Sequence, residues 1–251
     1  MNSDLKNKKV LVSGSSRGIG FHIAGKFIEA GANVVINSRD SAGLRRASRA
    51  LGNCGFVVGD LCRPDVARRV IKEAAHILGG IEVLVCNVGS GTSVPPGHED
   101  YDEWHRVLSL NLFSTTNLVE AAREFLKASH GAIVCISSIC GIETIRGAPV
   151  TYSVAKSALN TYVKSISVPL AADGVRINCV APGNINFNGS VWEKKLSEDP
   201  ASVHSMLERE VPLRKLGSPQ DVANLVVWLA SDDASFVTGT IMTTDGGQSR
   251  S

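Results

Sequence analysis

The sequence predicts an α/β fold: a single doubly wound domain in which a seven-stranded parallel sheet is flanked by helices. Short runs rich in Val and Ile alternate with longer helical patterns from one end of the chain to the other, as βαβ units require. The 251 residues hold no internal repeat, no low-complexity segment and no Pro/Gly/Ser-rich linker that would divide them. A glycine-rich turn, Ser13 to Gly20, joins the first strand-like run to the first helical one.

In chain order, strands are expected at 8–13, 33–37, 55–59, 81–87, 132–137, 175–180 and 240–244, each a short run dominated by β-branched and other apolar residues. Between them, helical patterns cover 18–30, 40–51, 64–78, 99–128, 150–172 and 219–231. The helix at 150–172 carries Ala155, Ala158, Leu159, Val163, Ile166 and Leu170 at helical spacing, a stripe that covers the sheet. Val154, Tyr162 and Val168 widen that apolar character beyond one face. Residues 184–217 break the rhythm: they are polar, contain Asn184, Asn186, Asn188 and Trp192, and follow the sixth strand, where long insertions form lids or substrate loops.

Composition excludes several functions. The 26 Lys+Arg and 24 Asp+Glu leave a formal charge of +2, with neither sign gathered into a long block, so no nucleic-acid surface is expected. The three lysines between Lys6 and Lys9 read as a solvated terminus ahead of a strand. No run approaches the roughly 20 apolar residues of a membrane helix, and no signal-peptide region precedes the first strand; a cytoplasmic protein is expected. Cys86, Cys135 and Cys179 lie inside apolar strand runs and Cys54, Cys62 and Cys140 at or near strand ends, without metal-site spacing. Reduced thiols and no metal are expected.

The turn Ser13-Gly14-Ser15-Ser16-Arg17-Gly18-Ile19-Gly20 follows a strand and opens a helix, the context in which backbone N–H groups approach a pyrophosphate resting on the positive end of the helix. This makes Gly14, Ser16, Arg17, Gly18, Ile19 and Gly20 candidate contacts of a Rossmann-type dinucleotide site. At the end of the second strand a carboxylate would bind a ribose 2′-hydroxyl and repel a 2′-phosphate. The chain has Asn37-Ser38-Arg39 there, so NADP(H) is the expected cofactor, with Ser38 and Arg39 beside the phosphate. Asp40 argues the other way and is read as capping or beginning the next helix.

Tyr152 and Lys156 stand four residues apart on one helix face. An ammonium so placed is expected to stabilise a phenolate and lower the tyrosine pKa, making the pair a proton donor. Such a pair also arises on ordinary amphipathic helices; Tyr162, with Lys164 two residues on, shows how cheaply these residues occur. Ser137-Ser138 at the end of the fifth strand, followed by Gly141, lifts the pair above that background.

The spacing Gly-x-x-x-Gly-x-Gly, with Asp60-Leu61 after strand three, Asn87-Val88-Gly89 after strand four, Tyr152-x-x-x-Lys156 and Pro182-Gly183 after strand six, resembles the short-chain dehydrogenase/reductase family over essentially the whole chain. The resemblance implies that Ser138 hydrogen-bonds a substrate carbonyl oxygen and that Asn111 holds a water in a proton relay to Lys156. It implies further that Asp60, Leu61, Asn87, Gly89, Tyr152, Lys156, Pro182, Gly183 and Ile185 contact the cofactor, Lys156 through the nicotinamide ribose. Arg17 is implied as a second cation for the phosphate. The mechanism it implies is direct hydride transfer between nicotinamide and a carbonyl carbon, with Tyr152 giving its proton to the oxygen. A homotetramer through the helices at 99–128 and 150–172 is implied as well.

Two departures stand out. Val88 replaces a family alanine beside the cofactor, and Phe187 replaces a threonine that touches it, so that polar contact comes from Asn186, from Asn188 or from nowhere. The pattern is most similar to bacterial 3-oxoacyl carrier-protein reductases, yet Ser129 and Asp173 occupy the positions of the arginines that those enzymes offer to an acidic carrier. The expectation is therefore an NADPH-dependent carbonyl reductase or alcohol dehydrogenase acting on a polar, sugar-like ketone or its alcohol. The alternatives are a 3-oxoacyl carrier-protein reductase and a non-catalytic dinucleotide sensor; retention of Asn111, Ser138, Tyr152 and Lys156 together speaks against the sensor.

Overall fold

The computed structural model describes residues 5–250. Alternation of side chains along each strand explains the architecture. In β1 (Lys9–Val12), Val10 and Val12 face one side of the sheet and Leu11 the other. The same alternation holds in β2 (Asn33–Ser38), where Val34 and Ile36 oppose Val35, and in β4 (Val83–Cys86), where Val83 and Val85 oppose Leu84 and Cys86. Strands buried on both faces need helices on both faces, which is the doubly wound solution.

One layer is built from α1 (Gly18–Glu29), α2 (Ser41–Ala50) and α9 (Pro219–Ala230), packed on Val10, Val12, Ile36 and Val134. The other is built from α3 (Pro64–Leu78), α5 (Ser114–Ser129) and α6 (Val150–Ala172), packed on Leu11, Leu84, Ile133 and Ile177. With β3 (Gly55–Val58), β5 (Ala132–Ile136), β6 (Arg176–Pro182) and β7 (Ile241–Thr244), the strands form one seven-stranded parallel sheet in the order β3-β2-β1-β4-β5-β6-β7. The order reverses between β1 and β4, so the crevice where ligands bind in such sheets opens above the carboxyl ends of those two strands.

Two expectations need correction. The single helix at 99–128 is α4 (Tyr101–Leu108), a π-helical turn (Ser109–Phe113) and then α5. The polar segment 184–217 is no mere loop: it folds α7 (Val191–Glu198) and α8 (Pro200–Glu210), which close a small apolar cluster of Val203, Leu207 and Val211 with Trp192, Leu196, Met206 and Leu216. Among the described residues no helix is long and apolar enough to cross a membrane, and no group of three or more His, Cys, Asp or Glu could hold a metal ion. All six cysteines are free thiols.

Candidate active site

The glycine turn lies at the switch point. Gly14 and Gly18 hold φ of +61° and +59°, a region that side chains with a Cβ disfavour, which is why the turn needs glycine there. A side chain at Gly20 would run into the Asn87 amide and the Gly14 carbonyl, so the turn packs against the end of β4. Asn87 fixes that packing: its Nδ2 donates to Ser13 O at 3.2 Å and Gly14 O at 2.9 Å, and its backbone N–H donates to Ser13 Oγ at 2.9 Å. Val88 packs on the core under α5 and α6, with its backbone 3.2 Å from where a Cβ of Gly14 would stand. The turn thus presents backbone amides at the start of α1, and the residues present fit a dinucleotide pyrophosphate.

Beside it, Ser16 Oγ donates to Ser38 Oγ at 3.2 Å, joining the glycine turn to the end of β2. Arg17 and Arg39 are exposed at this mouth. Asp40 is the N-cap residue of α2, and its carboxyl is held below its ordinary value, first by the Gly43 backbone N–H and also by Arg46 and Arg17. A carboxylate turned to the helix end and facing cations leaves the mouth to the arginines. Asp60 accepts from Cys62 N at 3.1 Å, and Leu61, buried, is tied through its carbonyl to Asn117 Nδ2 at 2.9 Å.

The reaction centre forms where β4, β5 and α6 meet. Ser138, 8 % exposed, leaves β5 and accepts from Cys140 N at 3.2 Å. Ser137 turns to the opposite side, its N–H bonded to Val180 O at 2.7 Å and its hydroxyl to Lys156 O at 3.4 Å. Lys156 is buried in α6, and its Nζ donates to Ile136 O at 2.8 Å. Asn111 is fully buried in the π-helical turn: Nδ2 donates to Val107 O at 3.1 Å and Ser90 O at 3.2 Å, while Oδ1 accepts from Ser90 N at 3.0 Å. The widened turn loosens the i→i−4 ladder, and the amide side chain bonds the Val107 carbonyl there. Gly89 lies between the two, since a Cβ added to it would stand 2.8 Å from Asn111 Oδ1 and 3.1 Å from Lys156 Nζ.

Burial governs the electrostatics. It pushes the Tyr152 phenol up to about 12, with the Ser138 hydroxyl pulling the other way, and draws Lys156 down to about 8. The expected lowering of Tyr152 by Lys156 is therefore not the dominant effect in this arrangement. The ammonium is bonded to Ile136 and lies 5.8 Å from the centre of the Tyr152 ring, so desolvation outweighs it. The phenol is protonated at working pH and stands beside the Ser138 hydroxyl, so it holds a proton for an oxygen gaining negative charge, although its raised pKa makes it a weaker donor than the expected lowering would have made it.

Past β6, Gly183 N donates to Thr244 O at 3.1 Å and Ile185 bridges to Gly217, holding the segment after Pro182 against β7 and the strap before α9. Here the sequence reading missed a contact. The Phe187 ring lies against Gly18, 2.7 Å from where a Cβ would be, and Asn186 spends its Oδ1 on Ser190 Oγ at 3.2 Å. Nothing in the spacing of Phe187 announced that its ring covers the glycine turn. Ser93, Glu103 and Thr151 were also missed; their hydroxyl and carboxyl groups connect only in three dimensions.

A family model described as "Enoyl-(Acyl carrier protein) reductase" matches residues 14–249. A 3-oxoacyl-[acyl-carrier-protein] reductase of Chlamydia muridarum is 35% identical, covering 98% of this chain and 99% of the relative. A 3beta-hydroxysteroid dehydrogenase of Eggerthella lenta is 33% identical, covering 98% and 95%. Among solved structures, L-sorbose reductase from Gluconobacter frateurii, complexed with NADPH and L-sorbose, superposes with a TM-score of 0.92 at 26% identity over 100% of both chains. The NADPH-bound short-chain oxidoreductase of Pseudomonas aeruginosa, with an atypical catalytic center, reaches 0.90 at 28% identity, covering 98% and 99%. With the glycine turn, the buried lysine and the tyrosine set at one switch point, and this likeness running nearly end to end, the chain belongs to the short-chain dehydrogenase/reductase family of oxidoreductases.

Proposed function

We propose that the chain is a cytoplasmic, NADPH-dependent carbonyl reductase or alcohol dehydrogenase that interconverts a polar ketone and its secondary alcohol. The observation that carries this reading is the convergence of Asn111, Ser138, Tyr152 and Lys156 beside a glycine turn able to hold a dinucleotide. Bound NADP(H) supplies the hydride donor or acceptor. Gly14, Ser16, Arg17, Gly18, Ile19 and Gly20 bind its phosphates, Ser38 and Arg39 its 2′-phosphate, Asp60 and Leu61 its adenine side. Asn87, Gly89, Pro182, Gly183 and Ile185 hold its nicotinamide side. Ser138 donates a hydrogen bond to the substrate oxygen and Tyr152 protonates that oxygen as it gains charge. Lys156 bonds the ribose, and Asn111 orders a water that returns a proton to the lysine.

The whole chain acts as one domain, with 184–217 as the lid over the substrate. The exposed apolar side chains Phe113, Val150 and Val154 favour a homotetramer built through the α4–α5 and α6 faces. Reduction of an acyl thioester on a carrier protein is the second reading, favoured by the 35% identical relative. Against it, Asp173 pairs with the neighbouring Lys127 and Arg123 at 2.7 and 3.1 Å, cancelling one of their two charges, and so blunts an acid-binding surface.

The test is NADPH and NADH titration, followed by turnover with acetoacetyl thioester, L-sorbose and 2,3-butanedione. NADPH is expected to bind at least about tenfold more tightly than NADH, with Arg39→Ala removing most of that preference. Equal affinity for the two cofactors overturns the NADP(H) assignment. Binding without turnover of any carbonyl moves the chain to the sensor class.

A further inference from the structure

We infer that Thr151, Ser93 and Glu103 form a hydrogen-bonded brace that fixes where Tyr152 stands, which makes Ser93 and Thr151 positioning residues for the proton donor. This rests on the reading of Tyr152 given under the proposed function. The first turn of α6 carries Tyr152, yet its N-cap residue is Pro149 and no side chain caps the helix end. Ser153 Oγ bonds back to Pro149 O at 3.0 Å, within the turn itself. The tie to the rest of the molecule is Thr151, fully buried, whose Oγ1 lies 2.6 Å from Ser93 Oγ.

The direction of each hydrogen bond follows from Glu103. Its carboxyl is drawn down to about 2, first by Arg106 and then by Ser93, so at working pH it only accepts. Ser93 therefore spends its one proton on Glu103 Oε1, at 2.6 Å, and must accept from Thr151. Arg106 grips Glu103 with two nitrogens, Nε to Oε2 and Nη2 to Oε1, both at 2.7 Å, the bidentate geometry that resists rotation. Nη2 of the same arginine also donates to Thr92 O at 3.0 Å, and Glu103 Oε1 accepts from Val94 N at 3.3 Å.

The other end of this loop is held by Asn111, which bonds both the N–H and the carbonyl of Ser90. Residues 90–94 are thus fastened to α4 and its π-helical turn at both ends. Between the fastenings, Gly91 lies against the phenol: a Cβ there would stand 3.8 Å from Tyr152 Cε1 and 3.9 Å from Cζ. The loop therefore walls the ring on one side while its Ser93 holds the adjacent residue of the helix. Slack in either contact lets the phenol drift, and a misplacement of about 1 Å is enough to lower turnover about a hundredfold.

The experiment uses the full chain with NADPH and whichever of L-sorbose, 2,3-butanedione and acetoacetyl thioester is reduced fastest, comparing Ser93→Ala, Thr151→Val, Thr151→Ser and Tyr152→Phe with the unmutated protein. Ser93→Ala and Thr151→Val are expected to lower kcat about ten- to a hundredfold. The ketone KM and the NADPH Kd, read by cofactor fluorescence, stay within about twofold. Thr151→Ser, which keeps the donor, restores kcat to within about threefold. Amide exchange at Thr151, Tyr152 and Ser153 is expected to quicken about fivefold in the two disrupting variants, with the helix beyond Leu159 unaffected.

Unchanged kcat and unchanged exchange in Thr151→Val overturn the brace, as does a general loss of NADPH binding with faster exchange along all of α6. Full activity in Tyr152→Phe instead overturns the role given to that tyrosine, and the exchange pattern alone then decides whether the brace holds the turn.

Discussion

Lys156 brings an ammonium into a pocket that leaves 3 % of its surface exposed. Its nitrogen donates to the Ile136 carbonyl at 2.8 Å, one neutral acceptor for a group with three protons, and burial draws its pKa from 10.5 to about 8. Because the folded value lies below the unfolded one, the unfolded chain binds more protons between about pH 8 and 10.5, and stability rises with pH across that window. Below pH 8 the penalty stands in full, on the order of 1–3 kcal/mol once the bond to Ile136 is set against it. Lys156→Met is therefore expected to abolish turnover while raising Tm at pH 7 by about 3–10 °C, and by less at pH 10. Thermal melts at the two pH values check this, and an equal or lower Tm at pH 7 contradicts it. Tyr152 works in the opposite sense. Raised from 10.0 to about 12, it contributes stability that is fully present below pH 10 and lost as pH rises through about 12.

Among the elements, those whose pattern was local were legible. Every strand and the helices α1, α2, α3, α6 and α9 fall within a few residues of where periodicity and turn chemistry put them, because a strand buried on both faces or a helix with one apolar stripe declares itself within its own residues. The break at Ser109–Phe113 was hidden, since the apolar spacing of 99–128 runs on through it; Asn111 stood out only by family resemblance. The helices α7 and α8 were hidden for another reason: their apolar residues cover one another rather than the sheet, so the segment reads as polar. In the site, spacing and position singled out Tyr152, Lys156 and the pair Ser137-Ser138, and only the family resemblance chose Ser138 within that pair. The contacts of Phe187 with Gly18 and of Thr151 with Ser93 join residues 169 and 58 positions apart in sequence, and no single segment records them.

At the scale of the whole molecule, the sheet order sets everything else. With β1 and β4 adjacent and their crossovers diverging, the glycine turn, Asn87 and Ser138 come to one crevice, and α6 crosses it with the tyrosine and lysine facing in. Phe113, in the π-helical turn before α5, and Val150, Val154 and Val168 on α6 are exposed apolar side chains, and the wholly exposed Phe236 adds another. Light scattering at micromolar concentration is expected to give the mass of a tetramer, about four times 26.6 kDa; a monomer contradicts that assembly. The central claim, reduction of a carbonyl with Tyr152 as proton donor, is tested most directly by following deuterium into the product from NADPH deuterated at both C4 positions. In the unmutated protein the label is expected on the carbinol carbon of the alcohol, and in Tyr152→Phe its transfer is expected to fall about a hundredfold or more with NADPH affinity within about twofold. Alcohol formed without the label, or label transferred as fast by Tyr152→Phe as by the unmutated protein, would contradict the account.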